Sequence, residues 1–273
     1  MPIVNVPAFS NRSRYLPDRR DLNRLFPGSP TGSLGARLAH VFLTEIVAKC
    51  DAVIDLHTGA LNRPNLPQIR TTADDKRSEE LARVFDAPVT LLAGLRESSL
   101  RTAAFDRGIP ILLFESGEAL RLDTASIRFG LRGILSVMRH LGLLPSRRSA
   151  EKPPRGHGTV FCKRSAWERA PVGGLFTPLV SLGRAVNVGT VLGFLADPYG
   201  TRETPLEASR DGIVIGRTNE GLADEGDGLF HIASFKNPED AEGTINRSGN
   251  ALPVIPADED DHPVPYDPFT DVV

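Results

Sequence analysis

Apolar positions along the first 142 residues follow two alternating spacings. Continuous apolar runs at residues 2–6, Ala52–Leu56, Val89–Leu92 and Ile111–Phe114 predict buried strands. Between them, Ser33–Lys49 sets Leu34, Leu38, Val41, Phe42 and Ile46 on one helical face. Lys76–Phe85 predicts a second helix and Ser99–Arg107 a short third. Asp123 stands as an N-cap before a helix carrying Ile127, Leu131, Leu135 and Met138 at spacings of four and three. Such alternation predicts an α/β domain over 1–142, built on a largely parallel sheet flanked by helices.

The texture then changes twice. A Pro-, Gly- and Arg-rich stretch predicts a linker over 143–157. From 158 to 236 the chain reads as short strands and frequent turns, with a weak repeat at an offset of 38 residues. Ala170 maps to Ala208, Gly174 to Gly212, Leu175 to Ile213 and Gly183 to Gly221, and the VLGF ending at Phe194 maps to the LFHI ending at Ile232. Two similar halves predict a small all-β sandwich or barrel. The segment 237–273 sets nine acidic residues against Arg247 alone, holds six prolines and shows no apolar period, which predicts a disordered acidic tail.

Composition narrows the class. The 273 residues are 40 % hydrophobic and 24 % charged, close to the globular norm. No stretch approaches the roughly 20 apolar residues of a spanning helix, and the N-terminus lacks the pattern of a signal peptide. Cys50 and Cys162 form neither a disulfide framework nor a metal-type spacing, so a reducing, cytoplasmic setting is expected. The net charge of −2 divides into −8 on the tail and +6 on residues 1–236. The linker's four basic residues lack interleaved aromatics and read as solvated, so no nucleic-acid or membrane partner is expected.

Candidate chemistry falls at the carboxyl ends of two strands, where ligands gather in open α/β sheets. Ala52–Leu56 runs into His57-Thr58-Gly59, and Ile111–Phe114 runs into Glu115-Ser116-Gly117-Glu118. A histidine and a glutamate at one sheet edge suit a metal ligand and a general base. Equally, His57 would cap the next loop and Glu115 pair with an arginine. Asn23 and Arg24 precede a Pro-Gly turn, and the guanidinium of Arg24 matches a carboxylate bidentately; Arg14 is a second candidate. The alternatives are solvated surface arginines and a loop-stabilising ion pair at Asp21.

The ordered series Arg14, Asp21-Leu22-Asn23-Arg24-Leu25-Phe26-Pro27-Gly28, Asp55-Leu56-His57-Thr58-Gly59 and Phe114-Glu115-Ser116-Gly117-Glu118 resembles the succinylglutamate desuccinylase/aspartoacylase family. These are zinc-dependent amidohydrolases related to the metallocarboxypeptidases. The resemblance covers residues 1 to about 142. It implies a carboxypeptidase-like, largely parallel or mixed sheet flanked by helices, followed by a biotinyl/lipoyl-like β domain. It further implies that His57 is a ligand to Zn2+ and that Glu115 is the general base of amide hydrolysis. Asn23 and Arg24 would hold the carboxylate of a small N-acyl amino acid, with Arg14 at the carbonyl or acyl side. A homo-oligomer is compatible with it. No lysine sits in a tip context for covalent cofactor attachment. The family's other two zinc ligands lie in a His-x-x-Glu motif upstream of the DLNR segment. None of the six histidines here is followed three residues later by glutamate. The missing pair is therefore expected upstream of Met1. His40 and His140 read as helix-surface residues, and a catalytically incomplete, carboxylate-binding or assembly module is the alternative function.

Overall fold

The computed structural model describes residues 1–145, 158–235 and 237–250. Helix α1 (Val6–Ser10) opens the chain, followed by α2 (Leu34–Glu45), β1 (Val53–Gly59), β2 (Asn65–Thr71), α3 (Lys76–Phe85), β3 (Val89–Leu92), α4 (Leu100–Phe105), β4 (Ile111–Glu118) and α5 (Thr124–His140). Then come β5 (Val160–Cys162), β6 (Ser165–Arg169), β7 (Gly174–Pro178), β8 (Ala185–Val186) and β9 (Val191–Ala196). The last elements are β10 (Glu203–Glu207), β11 (Gly212–Arg217), β12 (Leu222–Ala223), β13 (Gly228–Ser234) and α6 (Pro238–Asn250).

The central sheet is mixed, one of the two arrangements expected. It runs β1-β4-β2-β11-β13-β6, with β3 joining β2 to β5 and β8 lying on β11. Strands β1 and β4 are parallel, as are β2 with β3 and β3 with β5, whereas β2 is antiparallel to β4. The antiparallel member is the strand absent from the sequence reading. Its sequence, Asn-Leu-Pro-Gln-Ile-Arg-Thr, carries a proline and four polar residues that hide a buried strand.

The 38-residue repeat is realised strand by strand. Strands β10, β11, β12 and β13 begin 37–38 residues after β6, β7, β8 and β9. The two halves interleave: β10-β9-β7-β12 form a four-stranded sheet, and β8, β11, β13 and β6 form its counterpart. That counterpart is continuous with β1–β4 through the Gly216↔Asn65 bridge, so the segment 158–236 shares a sheet with the segment before it. Phe176, Leu192, Leu195, Leu206, Phe230 and Ile232 fill the space between the two sheets.

Three local expectations are corrected. Residues 2–6 form no strand, because Asn5 accepts a hydrogen bond from the amide of Ala8 and Pro7 sits in the first turn, which starts α1 instead. Helix α5 has the expected cap, with Asp123 accepting from the amides of Ala125 and Ser126, but buries a different face. Phe129, Gly130, Gly133 and Val137 face the sheet, while Ile127 and Leu131 are 53 % and 49 % exposed. The glycines admit aromatic rings: a Cβ on Gly133 would stand 2.4 Å from the ring of Phe85. Finally, the start of the acidic segment is helical. In α6, Ala241 and Ile245 lie four apart and pack with Val89, Ile213 and Ile215, while Glu242 accepts from the amide of Ala185 at 2.9 Å and pairs with Arg184 at 2.6 Å. Residues 251–273 and most of the expected linker lie outside the described residues. No described helix is long and apolar enough to cross a membrane.

Candidate active site

Strands β1 and β4 are parallel neighbours whose register sets His57 beside Glu115 and Leu56 beside Phe114. Both side chains therefore leave the sheet on one face at its carboxyl edge. Asp55 shares that face of β1, two residues before His57. Its Oδ2 lies 2.9 Å from Nε2 of His57, which fixes the ring and leaves Nδ1 as the free nitrogen. Burial lowers the imidazole pKa, but the Asp55 hydrogen bond and the charges of Asp55 and Glu115 outweigh it, and the net shift is upward. The glycine of this motif has a steric reason: a Cβ on Gly59 would sit 2.0 Å from the carbonyl oxygen of Arg63.

Glu115 is held by an arginine from β2. Nη2 of Arg70 stands 2.7 Å from its Oε2, so the expected alternative, Glu115 paired with an arginine, is present. It does not remove the carboxylate from the site, since β4 still presents it next to His57. Close by, Arg101 at the start of α4 is buried and donates to the carbonyl oxygens of Thr71, at 3.3 Å, and Gly94. Burial and the charge of Arg70 lower its pKa.

The segment Leu22–Arg24 is a single 3-10 turn capped by Asp21, whose Oδ1 accepts from the amide of Asn23 at 2.9 Å. Oδ2 of Asp21 accepts from Nε and Nη2 of Arg14 at 2.9 and 2.8 Å, the loop-stabilising ion pair considered for Asp21. Oδ1 of Asn23 accepts from the amide of Leu100 at 2.8 Å, and the amide of Phe26 donates to the carbonyl of Ser98 at 3.1 Å. The turn is thereby stapled to the start of α4, and the side-chain nitrogen of Asn23, Nδ2, is left as its donor toward the cavity. A cavity of about 220 Å³ gathers Arg14, Asp21, Asn23, Asp55 and His57 against an apolar wall of Val4, Phe26, Phe42 and Leu100. Arg24 does not line it. Its Nη1 donates to the carbonyl of Asn23, and burial and the neighbouring charge of Arg96 lower its pKa.

Of the remaining histidines, His140 pairs with Glu80 at 3.2 Å on the helix surface and His40 lies half-buried on α2. His157 and His262 lie outside the described residues. Among the described residues, no group of three His, Cys, Asp or Glu side chains is placed to hold a metal ion. A catalytic zinc takes about three protein ligands; this set alone does not fit one. The residues that sequence reasoning missed are Asp55, Arg70 and Arg101. Asp55 was legible as the i, i+2 partner of His57 on a strand. Arg70 was not, because β2 was not recognised, and a buried arginine in the first turn of a helix leaves no pattern.

These features agree with known relatives. The profile of the succinylglutamate desuccinylase/aspartoacylase catalytic domain matches residues 1–141, and the chain belongs to this family. It is 28 % identical over 243 residues to the N-alpha-acetyl-L-2,4-diaminobutyric acid deacetylase of Halomonas elongata, covering 85 % of this chain and 71 % of that protein. Among solved structures it resembles a succinylglutamate desuccinylase/aspartoacylase from Rhodobacter sphaeroides, with a TM-score of 0.76, 30 % identity and coverage of 87 % and 74 %. The product-bound ectoine utilization protein EutE (DoeB) of Ruegeria pomeroyi is similar at a TM-score of 0.74, 25 % identity and coverage of 86 % and 74 %.

Proposed function

We propose that the chain acts as an amide hydrolase on a small N-acyl amino acid, with Glu115 as the general base. The observation that carries this reading is the register of β1 and β4, which brings His57 and Glu115 together at the sheet's carboxyl edge beside a cavity lined by Arg14 and Asn23. Glu115 takes the proton of the attacking water and returns it to the leaving amine, and Arg70 orients the carboxylate during both transfers. Arg14 faces the substrate carbonyl, where its charge opposes the negative charge that develops on oxygen. The side-chain Nδ2 of Asn23, with Arg24 next in the chain, receives the substrate carboxylate. The relatives named above support an N-acyl amino acid as the substrate class.

Should zinc be held here, His57 would be one ligand, through Nδ1, with Asp55 as the carboxylate that orients it; the described residues supply no complete set. A zinc ion held there would supply Lewis-acid polarisation of a carbonyl. A second reading, a carboxylate-binding module without turnover, is favoured by the lack of a three-ligand group among the described residues.

One experiment separates the two: zinc content and hydrolysis of acetyl, succinyl and aspartyl amides are measured on the same purified protein. Stoichiometric zinc with turnover that falls about 10²–10⁴-fold in Glu115→Gln is expected of the hydrolase. Near-normal turnover in that variant would overturn the role of Glu115. Neither zinc nor turnover, with retained carboxylate binding, would establish the second reading.

A further inference from the structure

A second polar line crosses the sheet away from the cavity. Strand pairing aligns Asn65 on β2 with Gly216 on β11, Gly216 with His231 on β13, and His231 with Trp167 on β6. Side chains at paired positions share one face. On that face the Trp167 indole stacks on the His231 imidazole, with ring centroids 4.9 Å apart and planes 8° from parallel, and the Arg63 guanidinium lies 5.7 Å from the Trp167 centroid. Glycine at 216 gives the row its room, since a Cβ there would stand 2.8 Å from Oδ1 of Asn65 and 3.2 Å from Cβ of His231.

Three buried polar atoms border this row without a protein partner: Nδ1 of His231, Nε of Arg70 and Oε1 of Gln68. His231 is only 6 % exposed. Gln68 is fully buried, and its amide nitrogen donates to the carbonyls of Leu66 at 3.3 Å and Ile215 at 3.2 Å, which identifies its oxygen as the free end. Ile215 adjoins Gly216, the residue paired with His231, so the Gln68 amide reaches the strand next to the imidazole. Arg70 follows Gln68 by two residues, on the same face of β2. Burial and the charge of Arg70 hold His231 down at about 3, so the imidazole is neutral. One donor and two acceptors complement a single water, which accepts once and donates twice. Buried waters make about three such bonds on average.

We propose that Gln68, Arg70 and His231 form a buried water site, and that this water fixes the Arg70 guanidinium so that Nη2 stays on Glu115. His231 and Gln68 are then positioning residues, supplied from opposite ends of the chain. The consequence for proton transfer rests on the reading of Glu115 as base; the water site itself does not.

The test is side-chain NMR of the full chain, with a high-resolution crystal structure. Expected are a His231 ring carrying its proton on Nε2 and staying neutral down to pH 5, and an Arg70 Nε–H signal protected from exchange. His231→Leu and the near-isosteric Gln68→Met should each speed that exchange at least tenfold, and His231→Asn, which restores an acceptor, should recover protection. Should His231→Leu fail to fold, Gln68→Met carries the same comparison. A His231 protonated on Nδ1, titration near 6.5, or an Arg70 signal unmoved in both variants would overturn the proposal. If these signals behave as expected while Glu115→Gln keeps its turnover, only the role of Glu115 falls.

Discussion

The edge of the sheet at β1 and its closed end at β11 and β13 are made from similar apolar strands but treat charge in opposite ways. Along β1, most residues are half-buried or exposed, and Leu56 is 57 % exposed. Along β11 and β13, every residue except the last is buried. At the edge, Asp55, His57, Glu115 and Arg14 remain partly hydrated and paired, and the imidazole is held toward its charged form. At the closed end the one imidazole, His231, is pushed toward its neutral form by burial and the charge of Arg70. A charge survives only where water or a partner offsets its desolvation. The proposed chemistry therefore falls at the least sealed part of the sheet, beside the most fully buried strands.

The comparison is broken most forcefully in the sealed region. Phe230 is fully buried, packs edge-on against Phe176 at 5.9 Å between centroids, and lies between the two sheets of the repeat. Phe230→Ala should lower the unfolding free energy by about 3–5 kcal/mol, measured by urea titration. A loss under about 1 kcal/mol would show that the region is not sealed in solution.

The next effect is a pH dependence. The unfolded chain protonates His231 near pH 6.5, whereas the folded chain resists until about 3. Between those values the unfolded state binds one proton more, so this residue lowers stability as pH falls, by about 1.4 kcal/mol per pH unit. Above pH 6.5 it contributes no slope. Unfolding titrations of the wild type and of His231→Gln should diverge in slope across that window; parallel curves from pH 6 to pH 4 would mean that His231 is hydrated in the folded state.

The same contrast explains what was legible. Helix α3, strand β3 and the cap at Asp123 were visible because local signals agreed: Asp75 and Asp123 precede apolar periods, and each accepts from the amides two and three residues on. The repeat was visible because glycines and apolar runs recur at fixed distance. Helix faces were less so. In α2 and α5 the buried stripe contains Gly35, Ala39, Gly130 and Gly133, and a search for large apolar residues passes over positions whose value is the absence of bulk. In α6, two apolar residues among acidic ones sufficed once β8 and β11 provided a surface, which no local pattern announces. Of the site, His57, Glu115, Asn23 and Arg14 stood in motifs. Arg70 and Arg101 act through strand order and helix placement, which arise only on folding.

Between the two regions stands the cap of α5. Both carboxylate oxygens of Asp123 serve the helix start: Oδ1 accepts from the amide of Ala125 at 3.3 Å, and Oδ2 accepts from the amide of Ser126 at 3.0 Å and from its hydroxyl. Asp123→Ala should cost about 1 kcal/mol, and Asp123→Ser should recover most of it. Equal losses in both variants would mean that the charge near β4, rather than the cap, matters.

The smallest effect is the most telling for the edge. Leu56 and the outward stripe of α5, Ile127 and Leu131, line a groove of about 540 Å³. A side chain this exposed has little area to lose on truncation, and surface changes of this kind fall within about 0.5 kcal/mol. Leu56→Ala, compared with Phe230→Ala in the same urea titration, should thus leave the midpoint nearly unmoved although it too truncates a large apolar residue in a strand of the same sheet. A loss of about 2 kcal/mol or more would mean that Leu56 is covered in solution, and the edge would then be a sealed surface like the repeat. An unmoved midpoint keeps β1 as the open margin on which Asp55 and His57 stay hydrated.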